Sequence, residues 1–186
     1  MSGPTPPEPT PSILAGVTYG AVARVADARG SFRELWRASH GEATFVQANL
    51  SSSSAGVLRG LHLHRRQLDH WIVSAGRAFV ALVDVRPLLD GPGPSAVVET
   101  RLLGPDEWVR IPAGVAHGFL ATEPLELIYL VTNEYDGTDE LGFAWDDPAV
   151  GIAWPRLTAT GDGQPILSDR DRSNPSLAEL VAALRG

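Results

Sequence analysis

The chain contains no cysteine and no lysine. The first absence excludes a thiol nucleophile, a redox pair, a disulfide and a Cys-type zinc centre, and it suits a reducing compartment, so a cytoplasmic protein is expected. The second excludes a Schiff-base catalyst and a phosphate-loop lysine. All fifteen basic residues are arginine, so carbonyl or phosphate chemistry has to run through Arg, His or backbone N–H groups. A net charge of −7 opposes nonspecific binding to nucleic acid or to an anionic membrane, both of which need a positive field. The sequence also lacks any apolar run long enough for a membrane span, and its start has no basic, apolar pattern of a secretory signal.

What is present is a chain of 186 residues, 44% hydrophobic and 20% charged, the size and composition of one soluble globular domain. Residues Met1 to Pro11 hold five prolines, which predicts a disordered tail over 1–12 and a single domain over 13–186. Short β-rich runs follow: Phe45–Leu50, Trp71–Val73, Ala78–Val85, Val97–Leu103, Trp108–Ile111 and Leu125–Val131. Gly, Pro, Asp and Ser clusters separate them at the intervals of sandwiches and barrels, so the fold class is all-β. Only the end is helical in pattern, where Ser176 with Glu179 makes a capping box and Leu177, Leu180, Val181 and Leu184 share one face.

The polar residues inside apolar runs are the candidates for chemistry. In Gly56-Val-Leu-Arg-Gly-Leu-His62-Leu-His64, the two histidines are two apart, so on a strand they project to one face while Leu61 and Leu63 pack the other way. Pro112-Ala-Gly-Val-Ala-His117 reads as a turn, with Gly114 free to take a positive φ, that delivers His117 at the start of the next strand. Tyr135 offers a phenol able to donate a proton, and Asp171 lies in a polar stretch where a carboxylate is most often a solvated charge or a cap.

Seven ordered stretches give the sequence a family likeness. They are 27–34, 45–49, 53–62, 83–86, 111–119, 145–148 with 151–155, and 165–171, and together they resemble the dTDP-4-dehydrorhamnose 3,5-epimerases. The resemblance implies a double-stranded β-helix of the cupin type and a homodimer. It also implies inversion of stereocentres beside the ketone of a dTDP-linked 4-keto-6-deoxy sugar, without a cofactor. Position by position, it makes His62 the general base, Asp171 the carboxylate that orients it, and Tyr135 the acid on the opposite face. Arg59 and His117 fall at sugar and diphosphate contacts, and Arg29, Phe32, Glu34, Gln47 and Asn49 at the nucleotide and sugar pocket, part of it reaching across the dimer.

The departures from that family concentrate around the first motif. Where members typically carry a lysine this chain has Asp69, and Leu63-His64 replaces an aromatic and a glutamine. The result also matches the general metal-binding cupin motif, with His62, His64, Asp69 and His117 as ligands for one divalent transition metal. That second reading would turn His62 from base to ligand, since a coordinated imidazole has no free lone pair. The third is a nucleotide-sugar-binding protein without turnover.

Overall fold

The computed structural model describes residues 7–40, 43–89, 91, 95–156, 160–161 and 163–185. Two antiparallel sheets face each other as a double-stranded β-helix. The six-stranded sheet has the order β1 (Thr10–Pro11), β2 (Thr18–Ala21), β10 (Glu107–Ile111), β7 (Asp69–Ala75), β12 (Leu125–Val131), β5 (Gln47–Ser53). The five-stranded sheet has the order β13 (Leu141–Gly142), β6 (Leu58–Leu63), β11 (Val115–Ala121), β8 (Ala78–Asp84), β9 (Val97–Leu103). A separate hairpin, β3 (Arg24–Asp27) with β4 (Gly30–Arg33), stands outside both. The helices are α1 (Arg86–Leu89), α2 (Asp169–Ser173) and α3 (Leu177–Arg185).

Strand alternation divides the apolar residues between two cores. Along β8, Ala78, Val80 and Leu82 turn between the sheets with Trp71, Val109, Phe119 and Leu127, while Ala81 and Val83 turn outward. The outward set is covered by Leu177, Leu180 and Val181 of α3, with Leu61, Leu63 and Phe143. Burial on both faces explains why this strand reads as a continuous hydrophobic run rather than an alternating one. The expected capping box forms at α3: the Ser176 backbone N–H donates to Glu179 Oε2 at 2.8 Å, and the Glu179 N–H donates to Ser176 Oγ at 3.3 Å.

The disorder expected over 1–12 does not extend through Thr10 to Ser12. Thr10 and Pro11 pair with Tyr19 and Thr18, and the Ser12 hydroxyl bonds the carboxylate of Glu99, so the sheet edge captures this segment. Met1 to Pro6 lie outside the described residues.

One close backbone contact sets the position of the histidines. Gly60 of β6 has φ +120°, and a Cβ placed there would lie 2.7 Å from Gly118 Cα and 2.8 Å from the His117 carbonyl oxygen. This contact lets β6 and β11 approach with His62 and His117 as direct cross-strand partners. Gly60→Ala is expected to destabilise the fold by more than about 1 kcal/mol, read as a lower urea midpoint, because both the φ and the space exclude a methyl group.

Candidate active site

The open end of the double-stranded β-helix holds a cavity of about 430 Å³. Each strand lines it with alternate residues: Gln47, Asn49 and Ser51 from β5, Asp69 and Trp71 from β7, His117 and Phe119 from β11, and Leu127, Tyr129 and Val131 from β12. Arg59 and His62 come from β6, and His64, Gln67, Tyr135 and Glu140 from the adjoining loops. Period-two geometry delivers most of these polar groups from both sheets to one space, and a register shift between β6 and β11 at His117/Phe119 brings Arg59 and His62, three residues apart, to the same cavity.

His62 and Asp171 form a pair. The His62 Nε2–H donates to Asp171 Oδ1 at 2.8 Å, which leaves the Nδ1 lone pair as the ring's proton acceptor. Asp171 is not the solvated charge that its polar stretch suggests: it is 4% exposed. Its place is set by the start of α2, where the Asp171 N–H donates to the Ser168 hydroxyl at 3.1 Å. Burial raises the Asp171 carboxyl, but the hydrogen bond and charge of His62, with the Ser168 and Gly60 bonds, outweigh it and hold the group below its ordinary value. It stays ionised at neutral pH and orients the ring.

A second cluster sits deeper. His64, Asp69 and His117 bring one donor atom each to within 4.8 Å of one another. Asp69, 4% exposed, accepts from Gln67 Nε2 at 2.7 Å and from the Trp71 indole at 3.1 Å, and lies 3.7 Å from His117 Nε2. It makes no ion pair with Arg65; the backbone N–H groups of Arg65 and Arg66 are taken by Asp139 at 3.0 and 2.9 Å. His62 stands outside this group, with its Nε2 engaged by Asp171 instead. The four-ligand set drawn from the sequence thus divides into a His–Asp pair and a three-residue group.

The two tyrosines occupy different places. Tyr135 stands at the mouth, 69% exposed, with its backbone N–H donating to Gln47 Oε1 at 2.9 Å. Tyr129 lies inside, half-buried on β12, in register with Asn49 on one side and Trp71 on the other. Burial raises its phenol above the ordinary value, and the nearby Asp69 carboxylate adds to this, so it keeps its proton at neutral pH. Sequence reasoning passed over Tyr129, although the spacing Leu127, Tyr129, Val131 puts it on the cavity face. It also missed Glu140, which is ion-paired to Arg170 at 2.6 Å and which no local pattern marks.

The remaining candidates divide cleanly. Gln47 donates to Asn49 Oδ1 at 2.9 Å on β5, and Arg59 of β6 donates to Ser53 Oγ at 3.2 Å, so all three present polar atoms to the cavity. Arg59 is the only guanidinium among the described lining residues. Arg29, Phe32 and Glu34 are not brought to this cavity. Arg29 is paired to Asp27 at 2.6 Å on the outlying hairpin, Phe32 is 68% exposed, and Glu34 pairs with Arg37.

Buried histidines make stability depend on pH. Burial lowers His117 to about 4, opposed by Asp69, and lowers His70 to about 3 with help from Arg110. A folded-state value below the unfolded one near 6.5 means that the unfolded chain takes up protons first as pH falls. The protein should therefore lose stability between about pH 6.5 and 4, by up to about 1.4 kcal/mol per pH unit for each histidine. Urea unfolding at a series of pH values checks this, and His70→Gln should flatten the slope.

Comparison with known proteins gives the site its context. The sequence profile of the family dTDP-4-dehydrorhamnose 3,5-epimerase matches residues 11–179. This chain belongs to that family. A dTDP-4-dehydrorhamnose 3,5-epimerase of Sinorhizobium fredii is 36% identical over 163 residues, covering 83% of this chain and 79% of the relative. Among solved structures, the 4-keto-6-deoxy sugar epimerase NovW of Streptomyces spheroides superposes with a TM-score of 0.83 at 30% identity, covering 99% of this chain and 94% of its own. The Legionella pneumophila RmlC, solved with dTDP-4-keto-L-rhamnose, gives 0.81 at 29% identity, with 95% and 96% covered. The family is one of isomerases, and its members share the β-helix described above.

Proposed function

We propose that this chain epimerises a dTDP-linked 4-keto-6-deoxy sugar, inverting carbon 3, carbon 5 or both by proton removal and return. Family membership supports the substrate class, and one geometric observation supports the chemistry. An oriented imidazole on the five-stranded sheet shares a cavity with a protonated phenol on the six-stranded sheet. A hydrogen beside a ketone is weakly acidic, so its removal needs a base whose working range is near neutral and donors for the oxygen that gains charge. His62 Nδ1 supplies the base, held by Asp171.

Inversion requires the proton to return to the opposite face. Tyr129 is better placed for this than Tyr135, being half-buried on the facing wall, whereas Tyr135 stands at the exposed mouth. Arg59 is suited to a phosphate or a sugar oxygen, and Gln47 and Asn49 line the same cavity. Arg29, Phe32 and Glu34 would serve a neighbouring site. Their hairpin projects from the fold, and together with the exposed Val46 and Leu50 near the β5 edge it supports a homodimer in which each chain completes its partner's pocket. A cytoplasmic location fits the cysteine-free composition.

The reading is tested by NMR on dTDP-4-keto-6-deoxyglucose. Appearance of a product inverted at carbon 3 or carbon 5 is the expected result. Binding without any change of configuration would replace the enzyme with the sugar-binding reading.

A further inference from the structure

We propose that His64, Asp69 and His117 form a binding site for one divalent transition-metal ion, distinct from the His62–Asp171 pair. The argument rests on hydrogen-bond direction. His64 Nδ1 lies 2.6 Å from the Asp139 carbonyl oxygen and His117 Nδ1 lies 3.1 Å from the Val115 carbonyl oxygen. A carbonyl only accepts, so in both rings Nδ1 carries the hydrogen, and each neutral ring presents an Nε2 lone pair. The third member, Asp69, is acceptor-only when ionised.

Three lone-pair donors therefore face one another at the floor of a cavity, with His117 and Asp69 each 4% exposed. One cation between them would serve as partner to all three donor atoms at once. The dimensions suit a metal. Two donors about 2.1 Å from a tetrahedral ion are about 3.4 Å apart, and the His117 Nε2 to Asp69 Oδ2 distance is 3.7 Å. Every ligand also has an outer partner: a backbone carbonyl behind each imidazole, and Gln67 with Trp71 behind the carboxylate. Partners of that kind fix tautomer and orientation at metal centres.

Two imidazoles and one carboxylate are a donor set for Zn(II), Co(II), Ni(II) or Fe(II) rather than for Ca(II) or Mg(II). The three ligands leave at least one coordination position open. All three line the cavity, so that position is available to an oxygen of a bound small molecule, where a metal acts as a Lewis acid.

Cobalt(II) is a direct probe, because its visible d–d absorption reports coordination. Titrated into tag-free protein, it should give a band that saturates at one equivalent. Asp69→Asn and His64→Gln should each weaken binding at least about 10-fold, whereas His62→Asn should leave it unchanged. Zinc should raise the melting temperature of the wild type, and in ¹⁵N-histidine spectra it should shift Nε2 of His64 and His117 but not of His62, a readout that needs no variant to fold. No saturating cobalt band would overturn the site. So would equal binding by Asp69→Asn, and loss of binding in a folded His62→Asn would overturn the three-residue assignment. None of these readouts depends on epimerase turnover.

Discussion

Replacement of His62 by asparagine should lower kcat by about 10²- to 10⁴-fold while leaving the melting temperature close to that of the wild type. The ring is the base in the proposed reaction, and asparagine keeps its approximate reach but cannot take a proton. Its side chain is 22% exposed and packs into neither apolar core, so loss of activity would not be a folding effect. Asp171→Asn should lose activity in the same direction, since the ring keeps its place on β6 but loses the carboxylate that sets its tautomer. Because the two residues act as one unit, the double variant should be little worse than His62→Asn alone. Additive losses would show that Asp171 works independently of His62.

The second large effect separates the tyrosines. Tyr129→Phe should lower the rate of inversion by about 10²-fold or more, whereas Tyr135→Phe should cost less than about 10-fold. Both changes delete one hydroxyl and neither removes ring packing. The difference comes from place: Tyr129 faces the cavity from β12, and Tyr135 lines its exposed mouth from the loop that follows. The reverse order of effects, measured as initial rates of product formation, would move the acid to the mouth of the site.

Much of this was legible in the sequence because strands announce themselves through period two and through apolar runs. Val97–Leu103 and Leu125–Val131 have the bounds expected of them, and α3 starts at its capping box. His62 and His64 reach the same cavity while Leu61 and Leu63 pack outward, as alternation requires. What could not be read locally depends on chain segments far apart. The pairing of His62 with Asp171 spans 109 positions and follows from where α2 returns to β6. Within the sequence, Asp171 looks like any exposed carboxylate.

The site's other features show the same limit. His62, His64, Asp69 and His117 have ligand spacing, yet spacing does not say that a carboxylate from a helix has already claimed one ring. Tyr129 was overshadowed by Tyr135, because a tyrosine inside a strand reads as packing until the register places it beside Asn49 and Trp71. The exposed β3–β4 hairpin carries Arg29 and Phe32 away from this chain's own cavity, an arrangement that only a three-dimensional view exposes.

The central claim is that proton removal and proton return belong to opposite walls of one cavity. Its most direct test is the fate of deuterium when Tyr129→Phe acts on dTDP-4-keto-6-deoxyglucose in heavy water. The account predicts that deuterium enters the sugar at carbon 3 or carbon 5 with the starting configuration retained, because His62 still removes and returns a proton on its own face. Inverted product formed at the wild-type rate, or no deuterium uptake in this variant, would contradict it.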